Sequence, residues 1–376
     1  MDLITRYRNI EKPRVVGLMS GTSADAIDAA LVEIDTRAEK VKLLKFASTP
    51  LPDEVKAYLQ DVFANMGTHR EISMLSWLLG DLFAETALKV MDDGADLIAS
   101  HGQTISHLPD GEMFLGRKVR CTQQIGEGAA IAAKTGCLTV CDFRPQDLAA
   151  GGQGAPLVPF ADAKLFHSAS VDRVALNVGG MANITWIPRQ GEVEACDTGP
   201  GNALSDALAY KICGQSCDFG GKLAASGQVI PEILDELMSH PYLAKPLPKS
   251  TGREEFGREM ALSLWGRGKP EDLVRTVIAF TAASVALHIE RFMNGPCEVF
   301  IAGGGSENPV LMQELRSRLP QDASLEKMDK LGIPTQAREA VCFALLGHET
   351  MWGRPANVIG ATGAKRRAVL GKIVMP

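Results

Sequence analysis

Two α/β domains are what this sequence predicts, and three observations carry the prediction. The chain has 376 residues, beyond the size at which a single hydrophobic core usually stops growing. Short apolar runs rich in Val, Ile and Leu alternate with longer helical patterns, and each half places its strands first and its helices after, as α/β domains do. Between the halves lies RPQDLAAGGQGAPLVP, residues 144–159, whose Gly and Pro suit a hinge or domain boundary. Two such domains are expected to leave a cleft between them.

In the first half, strands are expected at 14–19, 29–35 and 41–48, then helices at 53–65 and 72–92. LIASHG (97–102) reads as a strand entering a polar loop, Glu127–Lys134 as helix and CLTVCDF (137–143) as a further strand. The second half restarts with strands in VALNVGG (174–180), NITWI (183–187) and VEACD (193–197). Helices are expected at 202–213 and 270–293, a strand in EVFIAGGG (298–305), and helices at 308–318 and 336–351. No internal repeat and no low-complexity segment is visible.

Composition narrows the function classes. Apolar residues make up 45% and charged residues 22%, the balance of an ordinary soluble globular protein. The net charge of −6, with no block of like charges, argues against nucleic-acid or anionic-membrane partners. MDLITRYRNIEKPRVV lacks the apolar core and cleavage site of a signal peptide. No stretch approaches the ~18 apolar residues that span a bilayer, so a cytoplasmic protein is expected. The eight cysteines form no C-x-x-C pair, which favours reduced buried thiols over structural zinc.

Three glycine-rich turns stand between or after apolar strands. The first, SGTSADAID, runs from Ser20 to Asp28 and joins hydroxyls, bare backbone and two carboxylates. It can form a concave anion site or simply turn a hairpin. The second is LNVGGMANITWI (176–187), with Gly179 and Gly180 at the turn. The third is VFIAGGGSENPVLMQEL (299–315), where Gly303, Gly304 and Gly305 precede a helix capped by Asn308. Such a junction brings backbone close to a phosphorylated ligand, yet GGGSEN does not complete the dinucleotide fingerprint.

Other segments offer polar chemistry. In ACDTGPGNALSDAL (195–208), Asp197 ends a strand before a sharp Gly-Pro-Gly turn, where it can act as a general base or cap the turn. His101, Gln103, Thr104 and His107 form a neutral hydrogen-bonding group suited to sugar hydroxyls, or an exposed polar loop. Asp142, Arg144, Asp147 and Gln153 fall in or beside the presumed hinge, where Arg144 can pair with a carboxylate or phosphate. KSTGRE (249–254) is either a helix start or a polyphosphate contact. Glu339 lies in the helical run QAREAVCFALLGHE, on a face that its neighbours leave undecided.

With these segments in hand, the chain resembles the anhydro-N-acetylmuramic acid kinases, members of the actin-like and sugar-kinase superfamily. The resemblance runs from Gly17 to about Gly371 through GLMSGTSADAID, SHGQTI, DFRPQDLAAGGQGAPLVP, LNVGGMANI, DTGPGN, KSTGRE and AGGGSENPVLM, in that order. It implies a two-domain actin-like ATPase (ribonuclease H-like) fold with an interdomain cleft. It also implies domains at 1–143 plus 355–376 and at 144–354. The implied reaction takes ATP, Mg²⁺ and water to 1,6-anhydro-N-acetylmuramic acid and yields the 6-phosphate of N-acetylmuramic acid, a salvage of cell-wall sugars.

The same resemblance assigns Asp197 as catalytic base. It puts Gly21, Thr22, Ser23, Asp25 and Asp28, then Gly179 and Gly180, then Gly303, Gly304, Gly305 and Asn308, around ATP. His101, Gln103, Arg144 and Glu339 match positions around the sugar, while no metal ligands are indicated. A homodimer is among the expectations, and no nucleic acid or membrane is. Two departures from the family pattern are Ala26, where a second glycine is usual, and Ala24, where leucine is common. Ala26 is harmless if its φ is negative and costs on the order of 1 kcal/mol if positive. Two alternatives are a kinase for another anhydro-hexose and a non-catalytic actin-like ATP-binding protein.

Overall fold

The computed structural model describes residues 2–21 and 23–376. The chain divides into two compact units, one running to Leu165 and resuming at Gln336–Pro376, the other spanning Phe166–Thr335.

The first unit is built on a six-stranded sheet. Its first three strands are β1 (Arg14–Met19), β2 (Ala26–Asp35) and β3 (Lys40–Pro50), which form an antiparallel meander. On the other side of β1, β4 (Leu97–Ser100) and β7 (Thr139–Cys141) continue in parallel, and β13 (Lys372–Val374) closes the edge. Between them β5 (Gln103–Phe114) and β6 (Arg117–Ile125) make a separate two-stranded ribbon. Val16, Leu18, Ile27, Leu31, Leu59, Leu79 and Phe83 form part of one apolar core.

The second unit repeats the plan. Strands β8 (Asp172–Val178), β9 (Met181–Ile187) and β10 (Glu194–Pro200) form the meander. Strands β11 (Cys297–Ala302) and β12 (Ala323–Lys327) add in parallel beyond β8. Both sheets thus share the order third, second, first, fourth, fifth, with β13 added beyond the fifth in the first unit. The α/β class and the two-domain actin-like fold are as expected.

Several elements differ from the sequence reading. The ribbon β5–β6 follows LIASHG, where the sequence reading has only a polar loop. Among the described residues, helix Pro270–Phe292 is long and apolar enough by composition to cross a membrane, contrary to expectation. It is the core helix of the second unit, with Val274, Val277, Phe280, Val285 and Ile289 buried in that unit's cluster. The stretch 144–159 lies inside the first unit, where Asp147 anchors it. One Asp147 oxygen accepts from the Gly154 N–H at 2.7 Å; the other accepts from Asn357 Nδ2 at 2.9 Å and Thr362 Oγ1 at 2.8 Å. The eight thiols are all unpaired, with Cys196, Cys297 and Cys342 buried but Cys121 and Cys213 exposed.

Candidate active site

In the first unit, the site residues converge on the turn between β1 and β2. The Ala24 N–H donates to the Gly21 carbonyl at 3.1 Å, closing the turn; Thr22 lies outside the described residues. Ser23 and Asp25 are exposed, and Gly21 and Asp28 are half-buried. The strained position is Ala24, fully buried with φ of +53°, the left-handed region that a side chain enters at about 1–2 kcal/mol. Ala26 begins β2 and is extended, so its methyl group is the harmless case.

Behind this turn, Gln103 is fully buried. Its Oε1 lies 2.7 Å from Ser20 Oγ, and its Nε2 donates to the Gly21 and Thr104 carbonyls, both at 3.2 Å. The amide therefore braces the turn from below. His101 is equally buried, and its Nδ1 donates to the Gly102 carbonyl at 2.8 Å, since a carbonyl can only accept. Its Nε2 accepts from Arg144 Nε at 3.0 Å. Burial, aided by the Arg144 charge, holds the imidazole neutral and its pKa well below the usual value. The alternative of an exposed polar loop is excluded for both residues.

Arg144 opens helix Arg144–Ala149 and spends its Nη1 on the Gly154 carbonyl at 2.8 Å. Its Nη2 has no hydrogen-bond partner among the described residues. Burial lowers the guanidinium pKa to about 10, against the pull of Glu339. Glu339 is in the first turn of helix Arg338–Met351 and open to solvent. The protein packed around it pushes its carboxyl up; Arg338 and Arg144 oppose that shift, and Asp28 reinforces it. The helix start is pinned by Arg338, whose Nε donates to buried Asp162 at 2.7 Å. Sequence reasoning missed this pair.

In the second unit, four glycine-bearing turns gather at one end of the sheet. The Gly179 carbonyl accepts from the Asn202 N–H at 2.8 Å, and the Gly180 carbonyl from the Gly201 N–H at 2.8 Å and the Ala203 N–H at 3.1 Å. The β8–β9 turn is thereby tied to the start of helix Ala203–Cys213. Gly303, with φ of +83°, lies so close to β8 that a Cβ would stand 2.6 Å from the Val178 carbonyl oxygen. Gly304 faces Asn202 more openly. Asn308 caps helix Pro309–Arg318, its Oδ1 accepting from the Val310 N–H at 3.0 Å and the Leu311 N–H at 3.3 Å. A Cβ on Gly221 would collide with that same Oδ1. Gly220 and Gly221, both left-handed, were missed by sequence reasoning, although paired glycines following Asp218 were a visible signal.

Asp197 lies inside β10, which continues to Pro200 instead of ending at Asp197 as the sequence suggested, and the pairing with β9 shifts register between Asp197 and Gly199. Such a bulge re-aims a side chain. Its Oδ2 accepts from the Thr251 N–H at 2.9 Å, and Oδ1 takes no hydrogen bond from the described residues. Burial raises the carboxyl pKa to about 6, with the Thr251 bond opposing. The KSTGRE segment is split in role. Lys249 is buried on the Tyr242 and Leu243 carbonyls, at 2.9 and 3.1 Å, which rules out the polyphosphate reading for that residue. Arg253 is exposed, with its Nη2 3.5 Å from where a Gly180 Cβ would sit.

No group of three His, Cys, Asp or Glu that could hold a metal is found among the described residues. The glycine turns instead leave close backbone approach and one exposed cation, an arrangement suited to phosphates.

Comparison with known proteins identifies relatives of this chain. A family model described as anhydro-N-acetylmuramic acid kinase matches residues 13–376. The anhydro-N-acetylmuramic acid kinase of Caldanaerobacter subterraneus subsp. tengcongensis is 43% identical over 395 aligned positions, covering 99% of this chain and 100% of that one. That of Bacillus cereus is 39% identical over 381 positions, covering 96% of this chain and 99% of that one. The chain belongs to the anhydro-N-acetylmuramic acid kinase family.

Proposed function

We propose that this chain uses ATP and water to open 1,6-anhydro-N-acetylmuramic acid and phosphorylate its O6, yielding N-acetylmuramic acid 6-phosphate and ADP. The observation that carries the mechanism is Asp197, a carboxylate with one oxygen held, the other free, and a pKa raised to about 6. A water oxygen attacks C1 while its proton passes to Asp197 Oδ1. The C1–O6 bond breaks, and its electron pair on O6 attacks the γ-phosphorus. The bond from that phosphorus to the bridging oxygen breaks, and ADP leaves with the electron pair. A positioned base of this kind contributes roughly 10²–10⁴-fold.

The remaining work is positioning and charge stabilisation. Gly21, Ser23, Asp25, Asp28, Gly179 and Gly180 are assigned to the phosphates, joined by Thr22 from the sequence match. Gly303, Gly304, Gly305 and Asn308 are assigned to the nucleoside. The support is the close backbone packing at Gly303 and the exposed Arg253 beside Gly180. Half-buried Asp28 would supply the carboxylate for an Mg²⁺ bound mainly through ATP, and the ion would neutralise charge on the transferred phosphate.

For the sugar, we assign Arg144 and Glu339 as direct contacts, with His101 holding the Arg144 guanidinium and Gln103 bracing the turn behind them. The unspent Nη2 of Arg144 suits the lactyl carboxylate, which favours this substrate over an anhydro-hexose lacking it. The need for ATP places the enzyme in the cytoplasm, and the product suits recycling of cell-wall sugars. A homodimer is supported by the exposed apolar row Met74, Trp77 and Leu78 on helix His69–Leu88. Unchanged sedimentation of a Trp77→Glu protein would remove that support.

The test is an assay with Mg-ATP and the anhydro-sugar, followed by detection of ADP and the ring-opened 6-phosphate. Wild type should form both in equal amounts, and Asp197→Asn should lose roughly 10²–10⁴-fold in rate. Undiminished turnover in Asp197→Asn would overturn the base, and ADP release without sugar phosphate would overturn the reaction.

A further inference from the structure

We propose that Tyr242 is a positioning residue for the base, because the segment from Tyr242 to Thr251 grips Asp197 at three points and leaves one carboxylate oxygen to meet the water. The inference rests on Asp197 being the base. The Tyr242 hydroxyl donates to the Asp197 carbonyl at 2.8 Å. The Asp197 N–H donates to the Lys249 carbonyl at 3.1 Å. The Thr251 N–H donates to Asp197 Oδ2 at 2.9 Å.

The grip is needed where it occurs. Just after Asp197 the ladder with β9 is interrupted by a bulge, pairing resuming at Gly199 opposite Ala182, so contacts outside the ladder help to fix the backbone that carries the carboxylate. The gripping segment is itself tied down. Lys249 Nζ donates to the Tyr242 and Leu243 carbonyls and stands 4.4 Å from the Tyr242 ring centre. Arg291 Nη2 donates to the same Leu243 carbonyl at 2.9 Å. Tyr242 is fully buried and meets Phe256 edge-on, with ring centres 5.4 Å apart, so its hydroxyl has little freedom to drift.

Lys249 adds a second indication. Its ammonium is buried with carbonyl partners and no carboxylate partner among the described residues. A buried cation so compensated is costly to keep, and burial lowers its pKa to about 8. The fold carries this cost in the loop that holds the catalytic carboxylate, as a supporting shell for a functional group does.

Tyr242→Phe keeps the ring and removes only the hydroxyl. The expected result is a single-turnover rate of ADP formation lower by roughly tenfold, with KM for ATP and for the anhydro-sugar changed by less than about twofold. The acidic limb of the rate should also move to lower pH, as water reaches the loosened carboxyl. A folded Tyr242→Phe protein with wild-type rate and an unmoved limb overturns the proposal, even if its melting temperature falls. Should that variant fail to fold, Lys249→Met is judged by the same two readouts. Asp197→Asn is measured alongside. If it retains full turnover, the base assignment fails; if it is inactive while Tyr242→Phe is unaffected, only the grip fails.

Discussion

At the scale of single residues, the role proposed for Asp197 turns on its environment and not on its residue type. A carboxylate in water at neutral pH is a weak base; burial raises this one to about 6, closer to the operating pH at which a base works best. The sign of the pH dependence follows. In the proposed role the ionised form accepts the proton, so the single-turnover rate should rise with pH through about 6 and level off above it. A flat profile from about pH 5 to 8 would contradict the assignment. Ala26 supplies a second prediction. Because it is extended at the start of β2, restoring the family's glycine should destabilise the protein by about 0.5–1 kcal/mol, through unfolded-chain entropy, without raising the rate. Denaturant unfolding of Ala26→Gly measures it, and a gain in stability would contradict it. That Asp197 sits on a strand shortly before a helix was legible in the sequence, whereas the continuation of that strand through Gly199 and Pro200 was not. Nor was the setting of Lys249, since the carbonyls that absorb its charge depend on how the segment folds back on itself.

At the scale of elements, helix Arg338–Met351 connects packing to site. It lies so close on β1 that a Cβ on Gly17 would collide with the Ala340 carbonyl and stand 2.7 Å from the Ala344 nitrogen. Since the obstacles are backbone atoms, no side chain can yield. Gly17→Val should therefore destabilise the first unit by about 3 kcal/mol or more, at the upper end of overpacking effects, and displace Glu339 with the helix. Unfolding within 1 kcal/mol of wild type, about one methylene's worth, would refute that close approach. A helix over 336–351 was expected, yet the role of Gly17 was hidden, because a glycine in a strand does not announce what rests on it. The ribbon β5–β6 escaped for a different reason. Neither of its strands is buried as a core strand is, and Pro109 interrupts the run, so the period-two signal is weak. Its turn is made by Leu115 and Gly116, both at positive φ, which leucine does not advertise.

At the scale of the whole molecule, the chain uses one sheet plan twice, although no repeat is visible in its sequence. What the two units share is strand order and direction. Those are enforced by buried apolar positions that many residues can fill, so the repeat survives in topology and not in letters. The glycine turns are more readable, because backbone that must approach Val178 or Gly179 closely tolerates no other residue. That asymmetry explains why the motifs pointed to a family before the fold was known.

The central claim is that water opens the anhydro ring at C1 while ATP phosphorylates O6. Running the reaction with Mg-ATP and the anhydro-sugar in water labelled with heavy oxygen tests it most directly. The expected result is one labelled oxygen at C1 of the 6-phosphate product, none in the O6–phosphorus bridge, and loss of both products in Asp197→Asn. Label in the phosphate, or an unlabelled C1 in a phosphorylated sugar, would contradict it.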